Sequence, residues 1–414
     1  MGNVTEPRIR KRLLITSLTI NLGLLAFFKY SNFFLANMAA ALNASGWHVG
    51  APHLNIILPP AISFFTFTSM AYVLDVYFEK IPVCENARDY ALFITFFPKL
   101  LSGPIVRGNE LFPQFKECPR VTAEDVEIGL SYCLIGAVKK LVIADQIAGP
   151  VSQIFATPAQ FDGLTLLMGV MGYTAQLYCD FAGYSDIAIG TARILGYRLP
   201  ENFQMPLSSK SITEFWRRWH ISLSRWFRDY LFLPLEIATR NASNRLAQAA
   251  LNIIFTMLLC GLWHGASWNF VIFGGIHGAG LAAHTIWTKW KPLEGIKKSR
   301  AYAILWGALA HFLTMTVVLL GFVFFRSETY SDATLYLSRM LSWSHSGIRL
   351  NSPYIMGGVA AVVLAHLVIR KDRNLAVELP TMPLVVRLAA YTALLTVLVL
   401  LGASEAAPFI YFKF

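Results

Sequence analysis

Residues 248–288, QAALNIIFTMLLCGLWHGASWNFVIFGGIHGAGLAAHTIWT, run without a single Asp, Glu, Lys or Arg. A helix crosses the hydrocarbon core of a bilayer in about 20 apolar residues. The two halves of this stretch, 248–266 and 268–288, therefore read as consecutive membrane spans. Seven more stretches have the same character: 13–35, 54–78, 125–148, 164–190, 302–325, 354–369 and 385–402. The whole chain agrees with them. Of its 414 residues 55% are hydrophobic and 14% charged, and the mean hydropathy is +0.51. That balance excludes a soluble globular domain. Thirty Phe and ten Trp suit segments in lipid with aromatic rings at the headgroup level.

Two further stretches are apolar but awkward. Residues 90–106 end in Pro98, Gly103 and Pro104, and 219–238 mix Trp, Phe and Leu with arginines. Both read as re-entrant or interfacial pieces, tolerated at membrane depth only where protein or water covers the backbone. The expectation is an all-α, polytopic membrane bundle of about 9–11 transmembrane helices, in one domain spanning 1–414. With 35 Lys+Arg against 24 Asp+Glu the net charge is +11. In such a chain anionic lipid and cytoplasmic loops account for the excess, and no nucleic-acid partner is expected. Arg8, Arg10, Lys11 and Arg12 precede the first span, whereas 36–53 holds no Lys or Arg. By the positive-inside rule the amino terminus is cytoplasmic, as are 289–300 and the Arg370, Lys371, Arg373 cluster, with the carboxyl terminus outside. The start reads as a first span or signal anchor rather than a cleaved signal peptide.

Cys84, Cys118, Cys133, Cys179 and Cys260 show no C-x-x-C pair or metal-ligand spacing, so neither a disulfide framework nor a metal site is expected. No G-x-S-x-G, H-E-x-x-H or Walker string occurs, which removes support for a serine hydrolase, a zinc protease or an ATP-driven pump.

Three segments carry chemistry. Residues 210–230, KSITEFWRRWHISLSRWFRDY, place Trp216, Arg217, Arg218 and Trp219 around His220. On one helix Trp219, Leu223 and Trp226 would share a face, with Arg218 and Arg225 on another. This is the pattern of a membrane-surface helix, or of arginines set to meet an anionic, phosphate-rich acyl carrier. His264 and His277 lie in apolar surroundings, where ionisable side chains are rare and mark function, although histidines bonded between helices fit the same pattern. A buried, uncharged imidazole can accept a proton from an incoming hydroxyl. Glycines 261, 265, 274, 275, 278 and 280 would let helices or a slender substrate approach the backbone. In QLYCDFAGYSDIAIG, 176–190, Asp180 and Asp186 need partners; a structural tie to an arginine is favoured over a proton relay.

At this point the chain resembles a known family. FWRRWHISLSRWFRDYLFLPL at 215–235 and GLWHGASWNFVIFGGIHG at 261–278 look like the signature of the membrane-bound O-acyltransferases. FFPKLLSGPIVR at 96–107, KKLVIAD at 139–145, DFAGYSDIAIG at 180–190 and the ending PFIYFKF resemble its bacterial alginate O-acetylase branch. Members of that branch usually carry about two more hydrophobic segments ahead of the basic stretch. The resemblance implies a thin core with a central tunnel, and acyl transfer to a hydroxyl. His264, after Trp263 in the W-H-G context, would be the catalytic base, and His220 a second histidine lining the route to it. Asn269 is our own candidate for steadying the oxyanion.

The resemblance further implies acetyl-CoA as donor substrate and no permanently bound cofactor or metal. The setting would be multi-pass in the bacterial inner membrane, with O-acetylation of an exported polysaccharide. A periplasmic SGNH-type acetyltransferase and the export machinery would be the partners. D-alanyl transfer to teichoic acid and proton-coupled secondary transport remain as alternative readings.

Overall fold

A computed structural model describes residues 4, 6–117, 119–290, 299–405 and 407–413. Among them there are helices and no strand; Phe161 and Ile348 form one isolated bridge. All nine apolar stretches overlap helices, although 54–61, the start of the 54–78 stretch, is irregular chain. The elements that frame the site are α1 (Pro7–Ala44), α2 (Ile62–Tyr77), α3 (123–156), α4 (Gly163–Ile194), α5 (Ile212–Arg218), α6 (Ile221–Phe227), α7 (Arg245–His264), α8 (Trp268–Trp290), α9 (Arg300–Arg326), α10 (Pro353–Val368) and α11 (Leu384–Leu401). Five of these, α1, α7, α8, α9 and α11, are long and apolar enough to cross a membrane, and α2 and α10 are shorter apolar helices. Helices α3 and α4 differ because they carry charges inside the bundle.

Local chemistry explains where the helices begin. Thr122 caps α3 in a reciprocal box with Asp125, Asp162 accepts from Thr165 N at the head of α4, and Ser211 accepts from Glu214 N at the head of α5. Each side chain satisfies a backbone N–H that has no partner within its helix. Ion pairs gather at the ends that the charge rule assigns to the cytoplasm: Arg193 with Asp125 at 2.8 Å, Arg387 with Glu127 at 3.0 Å, and Lys371 with Glu214 at 2.6 Å. Of the basic loop 289–300, residues 291–298 lie outside the described residues.

α7 and α8 pack hairpin-fashion at close range. A Cβ on Gly261 would collide with the Phe270 carbonyl oxygen, and one on Gly274 with that of Met257. The small-residue contact expected from the sequence is therefore made by these two glycines. The 90–106 stretch is not one continuous helix: a helix Ala87–Thr95 is followed by a break at Phe96, a short turn Phe97–Leu100, then buried irregular chain from Ser102 through Val106. Its backbone is covered by protein, and Ile105 N donates to Ser222 Oγ at 3.0 Å.

One expectation is corrected here. Residues 210–230 do not form one interfacial helix. The chain breaks between α5 and α6 at Trp219 and His220, where His220 takes the left-handed φ of 41°. The break sends Trp216, Trp219 and Trp226 into the core rather than to the headgroups, with Trp226 stacked on Phe67 at 3.8 Å. Near the carboxyl-terminal end Phe409, Ile410 and Tyr411 are buried in the main core.

Candidate active site

His264 is the last residue of α7, and Gly265 leaves the helix in an extended conformation. The ring is buried among Trp263, Phe273, Phe325 and Tyr411, with centroids 5.0, 5.7, 5.1 and 5.8 Å away. It borders a cavity of about 350 Å³ that Lys29, Ser63, Ser102, Trp263 and Tyr411 also line. His264 Nδ1 has no hydrogen-bond partner among the described residues.

The backbone break at Trp219 aims His220 inward against Phe181, Trp263 and Tyr411, at 4.7, 6.1 and 6.4 Å between centroids. Its Nδ1 lies 3.1 Å from Asn202 Oδ1. The same oxygen accepts from Ser222 N at 3.2 Å and Ser222 Oγ at 2.9 Å. A backbone N–H only donates, so the amide oxygen must face it, and His220 Nδ1 must then carry the proton. His220 Nε2 is left as a bare, buried acceptor. Both histidines therefore pack against Trp263 and Tyr411, but only His264 of the two lines the cavity.

The remaining sequence candidates separate into groups. His277 is fully buried and accepts from Trp216 Nε1 at 3.2 Å, so these two hold each other inside the core. Trp219 packs under them against Phe215 at 5.4 Å. Arg218 is engaged with Glu214 at 3.1 Å and with the Gln204 and Lys371 carbonyls, whereas Arg217 is exposed. Beside them Glu214 keeps its carboxyl below the usual range. Burial pushes it up, but the Lys210 backbone N–H, the Lys371 ammonium and Arg218 together outweigh that.

Two candidates are corrected. Asn269 does not reach the His264 cavity. Its Nδ2 donates to the Ser327 carbonyl at 2.9 Å, and it lines a separate cavity with Asn37, Trp268 and Glu328. Its position at the start of α8, past the Gly265 turn, carries it away. Asp180 and Asp186 are tied structurally, as favoured, but to lysines rather than arginines. Lys139 meets Asp186 at 2.6 Å, and Lys140 meets both Asp180 and Asp145 at 2.7 Å. Asp180 Oδ2 also accepts from Ile410 N at 2.9 Å and Lys140 donates to the Ala407 carbonyl at 2.8 Å, so this network seats the tail that brings Tyr411 to the cavity. Among the described residues no cluster of His, Cys, Asp or Glu could hold a metal, and the four described cysteines are free; Cys118 lies outside them.

Sequence reasoning missed Lys29, Tyr411 and Asn202. A solitary lysine inside an apolar span was a signal for the first. The tail motif contained the second, and nothing marked the third.

Residues 85–325, which hold both histidines, match the membrane-bound O-acyltransferase family. This chain belongs to that family. It is 38% identical over 370 residues to the probable alginate O-acetylase AlgI of Pseudomonas aeruginosa, covering 88% of the chain and 67% of that protein. It is 36% identical to the peptidoglycan O-acetyltransferase of Helicobacter pylori, covering 81% and 66%. It is 32% identical to the teichoic acid D-alanyltransferase of Streptococcus thermophilus, covering 64% and 67%. The chain therefore spans about two thirds of the length of these relatives. Membership makes it a multi-pass membrane O-acyltransferase.

Proposed function

We propose that this protein moves acetyl groups from cytosolic acetyl-CoA across the bacterial inner membrane for O-acetylation of an exported polysaccharide, alginate or alginate-like. His264 acts as general base. The observation that carries the reading is the placement of His264 on a cavity, buried, with a ring nitrogen free of any protein partner. A buried polar atom without a bond costs about 1–3 kcal/mol; His220, His277 and His366 each leave one ring nitrogen unpartnered as well, but of the four it is His264 that lines the cavity. In the reaction the imidazole takes the acceptor's hydroxyl proton while the oxygen attacks the thioester carbonyl. The C–S bond breaks, and the proton returns to the departing thiolate.

Several further features support the setting. The exposed Arg217 lies at the helix ends that the charge rule assigns to the cytoplasm, where a phosphate-rich donor would arrive. Two of the relatives named above are a probable alginate O-acetylase and a peptidoglycan O-acetyltransferase. The match to the D-alanyltransferase is weaker in identity and coverage. Acceptance by a periplasmic SGNH-type acetyltransferase, working with the export machinery, completes the proposal.

The test is purified protein with radiolabelled acetyl-CoA and, in a parallel arm, a D-alanyl carrier protein. Label should pass from acetyl-CoA to acceptor or water, and His264→Ala should abolish the transfer while the protein still purifies as a folded particle. An alanine variant as active as the parent would remove the base. Use of the D-alanyl donor alone would redirect the substrate.

A further inference from the structure

We infer that Lys29 and Tyr30 form a clamp that positions His264 by closing the free end of the helix that carries it. The inference rests on the role proposed for His264. Because α7 stops at His264, its final carbonyls have no partner within the helix. At a surface, water would satisfy them; inside a membrane they need a donor from the protein. Three consecutive carbonyls receive one from two consecutive residues of α1. Tyr30 Oη donates to the Leu262 carbonyl at 2.6 Å, and Lys29 Nζ donates to those of Trp263 at 2.6 Å and His264 at 3.1 Å. The remaining ammonium proton is turned towards Ser63 Oγ, at 3.4 Å.

Local backbone form makes this reach possible. Lys29 and Tyr30 close a π-helical turn, Ala26–Tyr30, in an otherwise continuous α1. Such turns interrupt regular helices at functional positions. A lysine in an apolar span would normally extend its head towards the headgroups; here it turns into the protein, onto the carbonyl end of a helix, where the macrodipole favours a cation. Lys29 borders the same cavity as His264, but its Nζ is engaged by the Trp263 and His264 carbonyls and lies 3.4 Å from Ser63 Oγ. It is thus a positioning residue rather than a ligand for the substrate. The clamp fixes the backbone of the residue whose imidazole must meet a thioester and a hydroxyl at once.

The test compares full-length Lys29→Met, Lys29→Arg and Tyr30→Phe with the parent. A displacement of about 1 Å at a reacting group costs up to about a hundredfold in rate. Lys29→Met should therefore lose about 10- to 100-fold in kcat for acetyl transfer, with KM for acetyl-CoA held within about twofold. Lys29→Arg should restore most of the loss, and Tyr30→Phe should lose less than Lys29→Met. Carbethoxylation of His264 by diethyl pyrocarbonate, followed by mass spectrometry, should run faster in Lys29→Met than in the parent, with exposed His48 as internal reference.

Parental kcat in Lys29→Met, a loss confined to KM, or unchanged His264 modification each overturns the clamp. Should Lys29→Met fail to fold, Tyr30→Phe decides: a lower kcat at unchanged thermal stability supports the clamp, and parental kcat removes it. A parent that transfers no acetyl group sinks the functional proposal instead, and the His264 modification rates then decide the clamp alone.

Discussion

Two polar regions lie inside this bundle, and they are built in opposite ways. Between α3 and α4 sit Lys139, Lys140, Asp145, Asp180 and Asp186, and every one of these charges is in an ion pair no longer than 2.7 Å. At the end of α7, by contrast, His264 Nδ1 and the neighbouring Trp263 Nε1 and His220 Nε2 have no partner among the described residues, and His264 and Trp263 line the cavity. Single unpartnered atoms also occur elsewhere, Asp145 Oδ2 in the first region and Nε2 of His277 and His366 among them. Both regions cost desolvation energy. The first recovers it in the folded state through Coulomb attraction and hydrogen bonds. The second leaves it unrecovered, which is the condition of a site that finds its partners in a substrate. Ionisable residues in a membrane are functional candidates by default, and the comparison divides that default in two: closed pairs hold helices together, and an open nitrogen beside a cavity, as at His264, stays a candidate for chemistry.

If the division is right, substitutions in one region move stability and those in the other move turnover. The largest separation is expected at His264, where loss of a general base costs about 10²- to 10⁴-fold in rate. The unfolding midpoint of His264→Ala in detergent should stay near the parent's. A collapse of stability without a matching loss of specific activity would erase the distinction. Next comes Lys140→Met, which strands both Asp145 and Asp180 and should cost about 3–5 kcal/mol of stability. Because Asp180 also holds the Ile410 backbone, limited proteolysis should cut the tail first. Lys139→Met alone should destabilise as well, and the double variant Lys139→Met/Asp186→Leu should recover most of that loss, because removing both charges removes the need for pairing.

A smaller effect tests the border between the regions. Asn202→Ala removes the oxygen that fixes the His220 tautomer and leaves Ser222 N without its acceptor. About 1–3 kcal/mol of stability should go, together with part of kcat. Asn202→Asp, which keeps an acceptor at the same place, should retain more turnover than Asn202→Ala. Equal kcat in the two variants would mean that the orientation of His220 does not matter.

The fold was legible because hydrophobic period and length act over whole segments; each of the nine stretches overlaps a helix, and five of those helices are long and apolar enough to cross a membrane. Residue pairings were less so. That Asp180 and Asp186 needed cations followed from burial, but which cations depended on α3 lying against α4. Lysines 139 and 140, one helical step apart, reach two different aspartates only in that packing. The tryptophans of 210–230 were misplaced for a related reason. Helical periodicity assumed one continuous helix, and a single left-handed residue, His220, reset the phase and turned the aromatic side inward. His264 could be picked out from its surroundings alone, whereas Lys29, hundreds of residues away in the chain, has meaning only once α1 meets the end of α7.

The smallest expected effect concerns the rim of the charge-paired class, at the helix ends assigned to the cytoplasm. Glu214 is held below its ordinary value of 4.5 in the folded protein. A carboxylate with a depressed folded value binds protons more weakly than in the unfolded chain. Its stabilisation is therefore complete above about pH 4.5 and fades as pH falls through the folded value. Half-exposed and open to salt, the contacts with Lys371 and Arg218 are worth on the order of 1 kcal/mol or less. Glu214→Gln should accordingly lower the unfolding midpoint slightly at neutral pH, with the difference from the parent narrowing on acidification and shrinking at high ionic strength. Acetyl transfer at neutral pH should be unaffected in KM and kcat. A selective rise in KM for acetyl-CoA would instead show that Glu214, by occupying Arg218 and Lys371, sets the charge the donor meets, and would move this corner from the closed class into the open one.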